Sequence, residues 1–161
     1  MATKIKFGTS GWRAIIAEEF TYANVRRAVE GISRYVAAHA AGRPPKLIIG
    51  YDPRFLGPQF AELSAQIACS HGIQALLCQE PAPTPAIAFQ VQALKTDGAI
   101  NFTASHNPPE YQGIKFSTPD GAPALPEVTG EIERLIEEGG PSRPSRPSRL
   151  TRSRRRGSHA P

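Results

Sequence analysis

Apolar residues recur at two different periods along residues 12–138, and their alternation predicts short strands interleaved with amphipathic helices. A first strand is expected over 12–17. Behind it, Val25, Ala28, Val29, Ile32 and Val36 stand at helical spacing after Thr21, whose hydroxyl suits an N-cap, with Gly42 as the stop. The unbroken apolar run Leu47, Ile48, Ile49, closed by Gly50, predicts a second strand. A helix over 58–70 with Gly72 behind it, a third strand over 74–78 and a helix from Pro85 through Lys95 follow. Residues 99–102 read as a fourth strand, 114–116 as a short edge strand, and Pro119, Asp120 and Gly121 as a turn. A last helix over 127–138 places Ile132, Leu135 and Ile136 on one face before Gly139 and Gly140 end it.

Strands and helices that alternate over most of the chain imply the α/β class with a largely parallel sheet, expected here as a three-layer α/β/α domain around a mixed, mostly parallel sheet. The chain has 161 residues and is 40% hydrophobic, enough for one domain with a sizeable core, which the pattern assigns to 1–140. No stretch approaches the roughly 20 uninterrupted apolar residues of a membrane helix, and the start lacks the basic, apolar, small-residue order of a signal. A cytoplasmic protein with no membrane partner is the expectation. Cys69 and Cys78 have no second ligand at zinc spacing and read as free thiols.

Charge changes the picture once it is split by position. The net +5 arises in residues 141–161, which hold seven arginines and no acid, whereas 1–140 carry a net −2. That tail repeats a Pro-Ser-Arg triplet, has too little apolar surface to offset its ordering entropy, and is expected to be disordered. Its arginines could attract nucleic acid, but no aromatic residue interleaves them, so specific nucleic-acid binding is not expected.

In open α/β sheets ligands bind at the carboxyl ends of parallel strands, which directs attention to the segments after strands two and four. After strand four comes Thr103, Ala104, Ser105, His106, Asn107, Pro108, Pro109. By composition alone this is a polar turn stiffened by two prolines. Chemically, a serine held there beside a histidine that titrates near neutrality is able to carry an acyl or phosphoryl group. The segment is not a G-x-S-x-G elbow, and the chain contains neither G-x-x-x-x-G-K-[ST] nor G-x-G-x-x-G.

TASHNP at 103–108 resembles the active-site serine signature of the α-D-phosphohexomutases, the phosphoglucomutase and phosphomannomutase superfamily. FGTSGWR at 7–13, GYDPR at 50–54 and GIKF at 113–116 resemble that family's other first-domain segments in the same order. Four ordered matches are far more specific than a lone GTSG. The resemblance implies the N-terminal α/β/α domain I of an enzyme with four domains, which interconverts hexose 1-phosphate and 6-phosphate in carbohydrate metabolism. It does so through a phosphoserine, with Mg²⁺ and a hexose 1,6-bisphosphate as activator or intermediate.

Residue by residue, the resemblance makes Ser105 the phosphoryl carrier and, through its phosphate, a metal ligand. His106 and Asn107 become its companions in the loop, with Asn107 on the phosphate-binding side. Lys115 would neutralise charge or move a proton if its pKa is lowered, and Arg13 offers a planar fork to phosphate. Thr9 and Ser10 lie in a glycine-flanked loop able to approach the phosphoryl group. Asp52 and Arg54 are expected to form a salt bridge supporting the loop rather than to touch substrate.

Two departures stand beside the matches. Gln112 replaces the asparagine usual before Gly-Ile-Lys. The family's Asp-Gly-Asp metal loop, sugar loop and distal phosphate loop, carried by domains II to IV, have no counterpart. The change near Pro141 reads as a truncation, a reading-frame change or a split gene, and the chain alone is expected to be inactive. The alternative from a different class is a non-catalytic fragment that docks on other mutase domains or binds sugar phosphate. The identity of the hexose is not encoded here, because the sugar-reading loop is missing.

Overall fold

The computed structural model describes residues 3–8 and 11–139; Thr9, Ser10 and the arginine-rich segment 141–161 lie outside the described residues. The elements are β1 (Trp12–Ile15), α1 (Tyr22–Ala38), β2 (Lys46–Tyr51), α2 (Gly57–Ser70), β3 (Gln74–Leu77), α3 (Thr84–Ala93), β4 (Ala99–Phe102), β5 (Tyr111–Ser117) and α4 (Pro126–Glu138). Thr21 caps α1 as its position predicts, its Oγ1 accepting from Asn24 N–H at 3.3 Å. Gly42 is not the helix stop: α1 ends at Ala38 with His39 as C-cap, and Gly42, at φ 71°, serves the turn that follows.

The strands form one sheet in the order β1-β5-β4-β2-β3. β2 is parallel to both β3 and β4, whereas β5 is antiparallel to β4 and to β1. Four strands therefore share a direction and β5 alone is reversed, which is the mixed, mostly parallel sheet expected.

One expectation is corrected. The short edge strand over 114–116 is a seven-residue strand in the sheet interior, between β1 and β4, and the edges are β1 and β3. Its first half is disguised by Gln112 and Gly113, which are poor strand formers in isolation. Gln112 is nevertheless fully buried and satisfied: Nε2 donates to the Phe55 carbonyl at 3.2 Å and Oε1 accepts from Gly113 N–H at 3.1 Å. Gly113 is needed because a Cβ there would lie 2.5 Å from the Thr103 carbonyl oxygen.

Three helices cover one face of the sheet. Val29 and Ile32 of α1, Phe60 and Ile67 of α2, and Ile132 and Ile136 of α4 pack with Leu47, Ile49, Ile100 and Ile114 in one core. A run of rings, Trp12 on Phe20, Phe20 on Phe60 and Phe60 on Phe102, with centroids 4.7, 5.2 and 5.9 Å apart, staples β1 to α2 and β4. Among the described residues the opposite face is covered by the one helix α3, whose Ile87 and Val91 meet Ile48 and Ala99. That helix shields the β2–β4 half and leaves the β1–β5 half to polar side chains.

The site follows from this topology. Parallel neighbours β2 and β4 leave the sheet at the same edge, Tyr51 beside Phe102, and the Asp52 N–H continues the ladder to the Phe102 carbonyl at 2.9 Å. Whatever follows Tyr51 must therefore meet whatever follows Phe102.

Candidate functional site

Ser105 is exposed and sits at φ 56°, in the left-handed region that L-residues avoid at a cost of about 1–2 kcal/mol. The turn around it is fixed by its neighbours: Ser105 N–H donates to Thr103 Oγ1 at 3.0 Å and Asn107 N–H to the Ala104 carbonyl at 3.1 Å. Thr103 and Ala104 are buried, so the serine rises from an anchored base. The His106 ring lies beside the hydroxyl, Nδ1 to Oγ 3.5 Å, too long for more than a weak hydrogen bond.

Arg13 reaches this loop from β1. Its Nη1 donates to Asn107 Oδ1 at 3.1 Å, and its stem passes over Gly113, where a Cβ would come within 3.0 Å of Arg13 Cγ. The missing side chain at Gly113 is what lets Arg13 lie down on the sheet. Arg13 Nε is buried without a hydrogen-bond partner, an unsatisfied polar atom beneath the loop.

Lys115 shares this face, because residues two apart on a strand point the same way and Gly113 pairs with Arg13. Desolvation by burial, then the charge of Arg13, lowers the Lys115 pKa from its ordinary value, and Asp52 offsets part of this. Asn101 faces Lys115 across the β4–β5 ladder. It is buried, donates from Nδ2 to Thr84 Oγ1 at 2.8 Å, and leaves its Oδ1 without a partner. Thr84 opens α3, so the partly positive helix N-terminus is held against the same half-face. A small cavity of about 90 Å³ brings Thr84, Lys115 and Ser117 together with Gly8 and Gly11 of the N-terminal segment. Gly11, at φ 92°, packs directly on β5: a Cβ there would stand 2.2 Å from the Ile114 carbonyl oxygen.

The structure thus brings Arg13, Asn107, Ser105 and His106 together and sets Lys115 on the same face; Thr9 and Ser10 lie outside the described residues. Asp52 and Arg54 do form the expected ion pair, Nε to Oδ2 3.5 Å. Sequence reasoning missed what else Arg54 does. Nη1 donates to the carbonyls of Pro108 (2.8 Å) and Tyr111 (3.1 Å), and Nη2 to those of Ser105 (2.8 Å) and Asn107 (2.6 Å). It also missed Asn101 and Thr84. The signal for Asn101 was present, as a lone polar residue in the apolar run Ala-Ile-Asn-Phe.

The described residues contain no group of three or more His, Cys, Asp or Glu that would hold a metal ion. Asp52, brought beside this loop by the β2–β4 pairing, is committed to Arg54. The described residues therefore do not by themselves amount to a Mg²⁺ site. Among the described residues no helix is long and apolar enough to cross a membrane.

Residues 4–143 match the family described as phosphoglucomutase/phosphomannomutase, alpha/beta/alpha domain I. The phosphoglucomutase of Staphylococcus epidermidis is 33% identical over 144 residues, covering 86% of this chain and 26% of that protein. Among solved structures, a Thermus thermophilus protein assigned as a phosphomannomutase superposes with a TM-score of 0.80 at 38% identity, over 84% of this chain and 30% of that one. The open form of parafusin, a phosphoglucomutase from Paramecium, gives 0.75 at 26% identity, over 84% and 26%. The chain spans about a quarter of the length of the curated relatives it matches.

Proposed function

The chain belongs to the phosphoglucomutase/phosphomannomutase family, as its alpha/beta/alpha domain I, and from that premise we propose that it supplies the phosphoserine part of a hexose phosphate mutase site. The observation that carries this reading is the posture of Ser105: exposed, held at φ 56° on a buried base, with an arginine anchored to its own loop. Ala17, Leu56 and Lys95 also have positive φ; at Ser105 the costly position carries a hydroxyl beside an arginine, which supports a group presented for use.

Ser105 Oγ attacks the phosphorus of a hexose 1,6-bisphosphate. The new Oγ–P bond forms as the donor's ester O–P bond breaks, the hydroxyl proton passes to His106, and the departing sugar oxygen takes a proton from Lys115 to become a hydroxyl. The lowered pKa of Lys115 makes its ammonium the better acid for that step. Arg13, with its fixed charge, and Lys115 neutralise the phosphate oxygens, which is the larger part of what phosphoryl transfer needs. Returning the phosphoryl group to the other position of the sugar completes the 1-to-6 exchange. Bound Mg²⁺ would neutralise the same oxygens; Ser105, through its phosphate, offers it one ligand, and the remaining ligands, the sugar site and the distal phosphate site belong to domains II to IV. A cytoplasmic location accords with a sugar phosphate substrate.

The test is phosphate uptake. The chain is incubated with glucose 1,6-bisphosphate and Mg²⁺, alone and mixed with separately produced domains II to IV, and examined by intact mass and fragment ions. One phosphate on Ser105 in the mixture is expected, and none in Ser105→Ala. Label on Thr103 or Ser117 instead, or no label in either sample, overturns the reading.

A further inference from the structure

We propose that Arg54 is a positioning residue for Ser105: its guanidinium is the template around which the serine loop is wound, an inference that rests on the phosphoserine reading above. A guanidinium has five N–H donors in a rigid planar fork. Here Nη1 and Nη2 each meet two carbonyl oxygens, those of Ser105, Asn107, Pro108 and Tyr111, while Nε faces Asp52. All four Nη donors are therefore spent inside the protein, and Nε is turned toward the Asp52 carboxylate rather than toward substrate. Three of the four carbonyls belong to residues outside any strand or helix, so the loop has no ladder of its own to dictate its path.

The sequence of the loop is adapted to this winding. A trans peptide aims its N–H opposite its C=O. Turning the carbonyls of Asn107 and Pro108 inward would leave two outward amide protons to be satisfied, but the residues that follow are Pro108 and Pro109, which have none. Turning the Ser105 carbonyl inward points the His106 N–H outward and fixes the peptide plane next to the carrier. Asp52 holds the template from behind, its Oδ1 accepting from the Arg54 N–H at 3.1 Å. With its side chain only 16% exposed, Arg54 is a fixed part rather than a tethered surface charge. A lysine at this place brings one ammonium that cannot span four carbonyls in a plane.

The experiment applies the phosphate-uptake assay to Arg54→Lys and Arg54→Ala, with melting followed alongside. A displaced serine should take up phosphate on the order of 10²-fold more slowly, with the bisphosphate concentration at half-maximal rate unchanged, in protein that still melts cooperatively. Millimolar guanidinium should restore at least about tenfold of the Arg54→Ala rate by refilling the template. Wild-type uptake by both variants, or a loss that guanidinium does not restore and that follows the unfolded fraction, overturns the inference and leaves Ser105 as carrier. If the wild-type chain takes up no phosphate, the phosphoserine reading fails separately, and amide NMR of the chain decides for Arg54. New or split resonances confined to residues 103–113 in Arg54→Lys support the template, and an unchanged spectrum overturns it.

Discussion

Arg13 Nη1 and Asn107 Oδ1, 94 residues apart in the chain, meet at 3.1 Å and tie the edge strand β1 to the loop that presents Ser105. The bond is partly buried and one partner is charged, the class of hydrogen bond worth about 1.5–3 kcal/mol. Asn107→Ala should cost that order of stability in urea unfolding. In a double-mutant cycle with Arg13→Met the two changes should couple by about 1 kcal/mol. Strict additivity would mean that the contact is incidental.

At most positions glycine is worse than alanine, and at Ser105 the order should reverse. Alanine keeps a Cβ in the left-handed region, whereas glycine occupies φ 56° without penalty. Ser105→Gly is expected to be more stable than Ser105→Ala by about 1 kcal/mol, read from paired denaturation midpoints, and neither should take up phosphate. Equal midpoints would show that the turn relaxes out of this conformation.

Lys115 should destabilise the domain while it is charged. Its folded pKa lies below the ordinary 10.5 because of burial and Arg13, so the unfolded chain binds the proton more tightly. Stability should rise as pH climbs from the folded pKa toward 10.5 and be lost again as pH falls through the folded pKa. Lys115→Met should therefore raise the melting temperature at neutral pH, by a margin that shrinks toward alkaline pH, while slowing phosphate uptake. A methionine variant less stable at neutral pH, or a margin that grows with pH, would contradict the assigned direction.

Gly11→Ala tests the seating of the N-terminal segment on β5. The added methyl would stand 2.2 Å from a backbone oxygen at a φ of 92°, so overpacking and strain combine to about 3 kcal/mol or more. The loss should appear in chemical unfolding together with weakened protection of the β1–β5 amides. A cost under about 1 kcal/mol would place the segment differently.

Much of this was legible along the chain because it is local. The spacing of Val25, Val29, Ile32 and Val36 and the hydroxyl of Thr21 define α1 without reference to anything distant. The serine loop announced itself by its motif, and Arg13 and Lys115 by theirs. What stayed hidden depends on partners far away in sequence. Gln112 looks like a loop residue until the Phe55 carbonyl, 57 positions earlier, accepts its amide. The four carbonyls around Arg54 carry no side-chain signature at all, since backbone acceptors look alike in every sequence. Asn101 was the exception, a polar residue whose apolar neighbours gave it away.

The reversed strand β5 has a consequence for the order of events during synthesis. Pairing Trp12 with Ile114 closes a loop of roughly 100 residues, at an entropic cost of about 4 kcal/mol before any contact repays it. Until β5 has emerged and inserted between β1 and β4, Arg13 has no sheet to lie on and the loop 103–110 has only one of its two strand anchors. A nascent chain that stops at residue 110 holds every residue of the serine motif, yet its two ends have not been brought together to make the motif a site.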